Sequence, residues 1–406
     1  MAPTDVGGIE VFIGIDMAKE DHYAQVITSD GTEVFARPVR NDQPDIEKLF
    51  TDAGAYGRIS VVIDQPASGA QLLLRLAADA GVPVAYVTGL AMRRAAQLYA
   101  GAAKTDPIDA FVLADYARRN ADRLTWLSID DELLVELRIL NGRDVDLAGD
   151  ATRIINRTRD ALLAISPALE RVLGPKLGHS GIRDLLMRWS TPTAIRSAGR
   201  GRVRNRIAKR SPRIAEAITD AIWEALDAQS VTLPAESAWG EVIADLCSDL
   251  DRIITRREVL GTQIEEVFLA HPLGAVLVTL CGFGPRTGAR TLAEISDPHR
   301  FADGGRLAAY AGLAPVDRRS GRSINSSSPS RAGNHRLKNA MFLAAFVASQ
   351  HDPAARAYYQ RKRAEGKKHN AAIICLARKR CNIILAMLKT VTPYQPPVIE
   401  EHLQAA

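Results

Sequence analysis

The sequence predicts an α/β domain followed by an all-α remainder. Three observations carry that prediction. Strand and helix signals alternate from residue 9 to 119. After residue 130 the strand signals stop and heptad-like apolar stripes replace them. The last third is basic and helical in pattern.

Each element can be read in turn. "EVFIGIDM", residues 10–17, is an apolar, β-branched run. "HYAQVIT" and "EVFARPV" follow, separated by the turn signal "SDGT". A helical stretch, "QPDIEKLFTDAG", closes at Gly54. "RISVVID", residues 58–64, is another buried-type strand. "SGAQLLLRLAADAG" reads as a helix ending at Gly81, and "PVAYV" as a fifth strand. A three-strand meander followed by helix–strand–helix–strand makes a mixed sheet.

Beyond it, Leu133, Leu137, Leu140, Leu147, Ile154, Ala161 and Ile165 form one stripe. Leu246, Leu250, Ile253, Leu260 and Val267 form a second. Spacings of three, four and seven predict two long helices, pairing as a coiled coil or a protruding bundle. Residues 170–240 between them read as a basic, irregular insertion. "LVTLCGFGPRTGARTLAEI" places a tight glycine turn between two helical patterns. The expected domains are 1–128, 129–272 and 273–392, with a tail at 393–406.

The chain has 406 residues, 47% of them hydrophobic and 24% charged, the balance of a globular protein. No run of 18 apolar residues exists, so no membrane span is expected. "MAPTDVGG" lacks a basic start and an apolar run, so no signal peptide is expected there. The four cysteines form no CxxC pair, which argues against a zinc site and for reduced thiols in a cytoplasmic protein. Net charge is +5, and its distribution is uneven. Residues 196–213 hold eight Lys/Arg and no acid, and 356–389 hold ten against Glu365 alone. Such clusters read as phosphate contacts, or else as solvated helix faces.

Four aspartates stand out. Asp16 and Asp64 each end an apolar strand, where a charge is expensive unless paired or metal-bound. Asp106 and Asp109, in "AKTDPIDA", are spaced i, i+3 and share a helix face, with Asp106 a plausible N-cap ahead of Pro107. Hard carboxylate oxygens converging on one point suit Mg²⁺ or Mn²⁺. The alternative for each aspartate singly is a turn or a cap.

"IGIDMAKEDHYA", "VVIDQPASG" and "AKTDPIDA" resemble the three acidic motifs of the DEDD transposases of the IS110 family, which includes the Piv-type DNA invertases. The resemblance resumes at "TLCGFGPRTGARTLAEISDPHRFADGGRLAAYAGLAPVDRRSGRS" and runs into "SRAGNHRLKNAMFLAAF". It covers roughly residues 9–165 and 270–390. It implies an RNase H-like, RuvC-like N-terminal domain with Asp16, Asp64, Asp106 and Asp109 as metal-binding carboxylates. The family carries Glu at the second motif where this chain has Asp64, one methylene shorter, which draws the metal closer to that strand. By position after "YAGLAP", Ser320 matches the family's serine nucleophile, with Ser323 its nearest competitor. Arg318, Arg319 and Arg322 would stabilise charge on the phosphate. Gly282 and Gly284, in a turn resembling a helix–hairpin–helix, would let backbone N–H groups approach phosphate, with Arg331 and Lys338 as further contacts. His335 is a candidate for proton handling near Ser320. Serines 326–330 read as a flexible or phosphate-contacting connector.

The resemblance further implies a transposase or site-specific recombinase of an insertion sequence. It would act on donor and target DNA as a dimer or tetramer, guided by a bridge RNA, in the bacterial cytoplasm near the nucleoid. The acidic and serine regions lie far apart in sequence, so a composite site is expected. Two rivals are a junction-resolving metal nuclease that uses water, and a non-catalytic nucleic-acid-binding protein.

Overall fold

The structure is a computed structural model that describes residues 8–64, 68–99, 105–127, 131–320, 324–329 and 333–396. The chain divides into two compact units. The first holds Met1–Glu132 with Asp297–Asp303; the second holds Leu133–Ser296 with Gly304–Ala406.

In the first unit, β1 (Val11–Asp16), β2 (Asp21–Thr28) and β3 (Glu33–Arg40) form an antiparallel meander. Helix α1 (Gln43–Gly54) leads to β4 (Ile59–Ile63), and α2 (Gln71–Asp79) leads to β5 (Val84–Tyr86). Helices α3 (Gly89–Ala96) and α4 (Asp106–Arg119) follow, then the short β6 (Thr125–Trp126). Sheet order is β3-β2-β1-β4-β5-β6. β1, β4 and β5 run parallel, and the other pairings are antiparallel. The sequence shows five of these strands. Two residues of β6 are too few to make a period-2 pattern.

Alternation along the strands builds two cores. Val11, Ile13 and Ile15 face Ile46, Leu49 and Leu73 of α1 and α2. Phe12 and Val62 face the other way, into a cluster with Leu113 and Ala117 of α4. Gly14 shares that second face. A Cβ built there would lie 2.1 Å from the Ala110 carbonyl oxygen and 2.5 Å from the Ala114 nitrogen. Only glycine lets α4 sit this close to β1.

The second unit opens with α5 (Glu132–Ile165), 34 residues long. Five shorter helices follow: α6 (Pro167–Leu173), α7 (Ser180–Arg188), α8 (Pro192–Ala198), α9 (Arg200–Arg210) and α10 (Ala215–Asp227). The second long helix is α11 (Glu236–Ala270). The two long helices are present, and their buried stripes match the predicted ones in part. Leu137, Leu147, Ala161 and Ile165 are buried, as are Leu246, Leu250 and Leu260. The stripe on α5 also takes in Asn141, Asp144 and Thr158. Apolar spacing alone misses these, because their polarity is met by partners: Asp144 accepts from Arg257 of α11 at 2.8 Å and from Arg290 at 3.2 Å.

Residues 170–240 are not irregular. Pro167 and Pro192 start α6 and α8, and Ser166 and Thr191 cap them. Leu169, Ile182, Leu185, Ile207 and Ile222 bury one core with Ala161 and Ile243 of the long helices. The helices are short and their apolar positions few, so no single window carries a clear period.

The last third contains α12 (Pro272–Leu277), α13 (Pro285–Ile295) and α14 (Gly304–Tyr310). An antiparallel hairpin of β7 (Pro315–Ser320) and β8 (Ile324–Pro329) comes next. Helices α15 (His335–His351), α16 (Pro353–Ala364) and α17 (His369–Thr390) complete it. The hairpin adds two strands to a region that is otherwise helical, as expected, and serines 326–328 belong to β8. Its sequences, PVDRRS and INSSSP, are mostly polar and show no hydrophobic alternation.

Candidate functional site

The acidic edge belongs to the first unit. β1 and β4 are parallel and in register, with Ile15 opposite Ile63. Asp16 and Asp64 therefore stand one residue beyond a paired position, on neighbouring strands. Asp16, the last residue of β1, continues the face of Gly14, the side that carries α4, and Asp64 directly follows the last residue of β4. Asp109 directly precedes Ala110, the residue whose carbonyl touches Gly14, and Asp106 lies one turn earlier. Asp106 and Asp109 occupy the first turn of α4, where the helix dipole favours negative charge. Thr105 is the N-cap, not Asp106, and it makes no side-chain capping bond. Asp106 is exposed; Asp16, Asp64 and Asp109 are half-buried.

Donor chemistry and strand register fit a small hard cation. The side chains as they stand do not complete a cage. Among the described residues no group of three or more His, Cys, Asp or Glu is gathered so as to hold a metal ion.

Residues that sequence reasoning missed brace this edge. Asn41 Nδ2 donates to the Lys19 carbonyl and to the Gly69 carbonyl, each at 3.4 Å, linking the segments that follow Asp16 and Asp64. Buried His22 accepts the Ala18 N–H through Nδ1 at 3.2 Å. Burial pushes the His22 imidazole below its usual pKa, against the opposing pull of Asn41 and Ala18. On α4, buried Asp115 accepts from Tyr99 and from Arg118, and pairs with Arg119 at 2.7 Å. Burial would raise the Asp115 carboxyl, but these donors hold it below the usual range. Burial, and then the same contact with Asp115, push the Tyr99 phenol up to about 12. This latch ties Tyr99, three residues beyond α3, to Asp115 of α4. A lone Tyr and Asp sixteen residues apart carry no sequence signal of it.

In the second unit, Ser320 is the last residue of β7, and its backbone pairs with Ile324 of β8. The side chains of Arg318, Arg319 and Ser320 lie outside the described residues, as do Arg322 and Arg331 entirely. His335 is the exposed first residue of α15, and Lys338 is half-buried in its first turn. Gly282 has φ of +93°, and a Cβ there would lie 2.2 Å from the Ala344 carbonyl oxygen. Its smallness serves packing against α15. Gly284 caps α13 and faces open space.

The two basic runs differ. In residues 196–213, Arg196, Arg200, Arg204, Arg206 and Arg210 each pair with a carboxylate of α7, α10 or α11. That run has much of its charge answered within the fold. On α16 and α17, Arg361, Lys362 and Lys379 gather round the Tyr358 ring at 5.1, 5.6 and 4.9 Å. Among the described residues, Lys362 is the one of these three with a carboxylate partner, Glu365.

Comparison with known proteins agrees with both regions. Residues 13–167 match a transposase family model of the DEDD, IS110 kind. Residues 274–360 match the model described as transposase IS116/IS110/IS902 family. The chain is 43% identical over 392 residues to the uncharacterized 43.6 kDa protein of insertion element IS110 of Streptomyces coelicolor, covering 96% of this chain and 97% of that protein. It is 37% identical to the uncharacterized 42 kDa protein of insertion element IS900 of Mycobacterium paratuberculosis, covering 95% and 97%. It is 33% identical over 128 residues to the pilin gene-inverting protein of Moraxella bovis, covering 31% of this chain and 40% of that protein. No helix among the described residues is long and apolar enough to cross a membrane.

Proposed function

The chain belongs to the IS116/IS110/IS902 transposase family and so cleaves and rejoins DNA, and from that premise we propose that Ser320 is its nucleophile and that Asp16, Asp64, Asp106 and Asp109 hold Mg²⁺ or Mn²⁺. The observation that supports the proposal is the parallel register of β1 and β4, in which Asp16 and Asp64 each follow the paired Ile15 and Ile63 at the same end of the two strands, with α4 packed on Gly14. Strand order β3-β2-β1-β4-β5, with the last three parallel, supports an RNase H-like reading of this unit. Gathering the four carboxylates would take movement of their side chains, since among the described residues no three of them now stand as a metal-holding group. The bound cation would supply charge neutralisation at the scissile phosphate.

Ser320 Oγ loses its proton to a base and attacks phosphorus. The Oγ–P bond forms, and the bond from phosphorus to one deoxyribose oxygen breaks. That oxygen leaves protonated. The reverse step, with a hydroxyl of another strand end, restores a phosphodiester and frees the serine, so no bond energy is lost to water. Arg318, Arg319 and Arg322 neutralise the phosphate, and Arg331, Lys338 and the backbone near Gly282 and Gly284 hold the nucleic-acid backbone. A bridge RNA pairs with donor and target DNA, and two or four copies of the chain assemble on it. The first basic run, with most of its arginines ion-paired, is the weaker candidate for that contact. The α16–α17 surface is the stronger one.

The test is strand cleavage and joining on a supercoiled plasmid carrying the element's ends, with the co-purifying RNA sequenced. Ser320→Ala and Asp16→Ala should abolish joining, Ser323→Ala should retain it, and one discrete RNA should be recovered. Joining by Ser320→Ala would replace the serine with water as nucleophile. Joining by Asp16→Ala would leave the chain a binding role alone.

A further inference from the structure

A two-stranded hairpin is marginally stable by itself, yet β7 and β8 carry the serine proposed as nucleophile at their far end. Ser320 lies five residues from Pro315, about 17 Å along an extended strand. A tilt of a few degrees at the base therefore moves the serine by about 1 Å, and misplacement on that scale lowers rates by on the order of 10²-fold.

The chain is tied to α14 immediately before β7 and again at Asn334, five residues beyond the end of β8. On the entering side, the N–H groups of Leu313 and Ala314 both donate to the Ala308 carbonyl, at 2.8 and 3.3 Å. On the leaving side, the Asn334 N–H donates to the Tyr310 carbonyl at 2.7 Å. The two chain segments cross closely. Gly333 has φ of +112°, and a Cβ on it would lie 2.6 Å from the Gly312 nitrogen.

The Asn334 side chain works in both directions. Its Oδ1 accepts from the N–H groups of Arg336 and Leu337, each at 3.0 Å, and so caps α15. Its Nδ2 donates to Glu294 Oε2 of α13 at 2.6 Å and to the Tyr310 hydroxyl at 3.1 Å. Capping needs only the oxygen, and aspartate would serve it equally well. The amide NH₂ is required only for the tie to Glu294 and Tyr310.

We propose that Asn334, held by Glu294 and Tyr310, is a positioning residue that fixes the base of the hairpin and thereby aims Ser320. The proposal rests on the reading of Ser320 as nucleophile. Asn334→Asp separates the two duties of the side chain. It keeps the cap on α15 and sets a second carboxylate against Glu294, where both cannot ionise together.

The experiment uses the full chain and a DNA substrate of the element's ends. It reads amide hydrogen exchange over residues 315–329, DNA affinity, and the rate of covalent protein–DNA adduct formation. N334D should speed exchange in the hairpin, leave exchange in α15 unchanged, and slow adduct formation by on the order of 10²-fold at unaltered DNA affinity. Its rate should recover as pH falls, when the carboxylate pair takes up a shared proton. The double variant N334D/E294Q, which restores a donor to the contact with donor and acceptor exchanged, should recover both exchange and rate. Unchanged hairpin exchange in N334D, or failure of the double variant to recover, would overturn the clamp. Faster hairpin exchange in N334D beside an adduct that survives Ser320→Ala would instead remove the serine and, with it, the aiming role.

Discussion

Gly14→Ala tests how α4 carries Asp106 and Asp109 to the acidic edge. The added Cβ would lie 2.1 Å from the Ala110 carbonyl oxygen, more than 1 Å short of the 3.4 Å at which ordinary contact begins. It would also meet Ala114 at its backbone nitrogen and its Cβ, at 2.5 and 2.9 Å. These are helix backbone and a short side chain, so no rotamer change relieves the clash. The helix itself must retreat by about 1 Å. Overpacking of this kind costs about 1–3 kcal/mol, outweighing the few tenths to 1 kcal/mol that alanine gains over glycine in backbone entropy. Thermal unfolding should fall by several degrees. Moving two of four carboxylates by about 1 Å should lower DNA cleavage by on the order of 10²-fold, with DNA affinity retained. Circular-dichroism melts and a cleavage time course at saturating Mg²⁺ read the two effects. A Gly14→Ala protein that melts and cleaves like the parent would refute the close packing and the role assigned to the start of α4.

Other predictions follow from the same contacts. His22 is buried with its pKa lowered below 6.5. The unfolded chain therefore binds the proton more readily, and the stability tied to neutral His22 is complete above pH 6.5 and lost as pH falls below it; melts at pH 7.5 and 5.5 should differ, and His22→Asn should narrow the difference. Asp115→Asn should lower stability by about 1.5–3 kcal/mol in urea unfolding, since it removes charge from hydrogen bonds to Tyr99 and Arg118; an unchanged midpoint would remove the latch. Arg361→Ala with Lys379→Ala should weaken binding to any nucleic acid and reduce the salt slope by about 1 for each charge removed. Arg200→Ala with Arg204→Ala, whose partners are Asp220 and Glu216, should leave that slope unchanged in fluorescence titrations.

The α/β order was legible because its strands are buried and β-branched. "EVFIGIDM", "RISVVID" and "QPDIEKLFTDAG" each form the element they predict, within a residue or two. Asp16 and Asp64 were legible for the same reason, being charges at the ends of apolar strands. Less visible was everything that depends on long-range pairing. The β7–β8 hairpin is held by backbone bonds and by α14, so its polar side chains leave no alternation to read. The arginines of 196–213 read as phosphate contacts or a solvated face because their partners, Asp184, Asp220, Glu216, Asp227 and Asp251, lie on other helices. The stripe on α5 was read one position off at Leu133 and Leu140 because Asn141 and Asp144, both polar, occupy the buried face. Gly14 and Gly282 looked like a strand residue and a phosphate turn, and both serve close helix packing.

The most direct measurement is mass spectrometry of the protein trapped on a nicked or mismatched DNA substrate that cannot be rejoined. A nucleotide linked through phosphate to the peptide at Ser320, absent from Ser320→Ala and absent without divalent cation, is the predicted result. Cleavage with no covalent adduct, or an adduct at Ser323 or another residue, would contradict it.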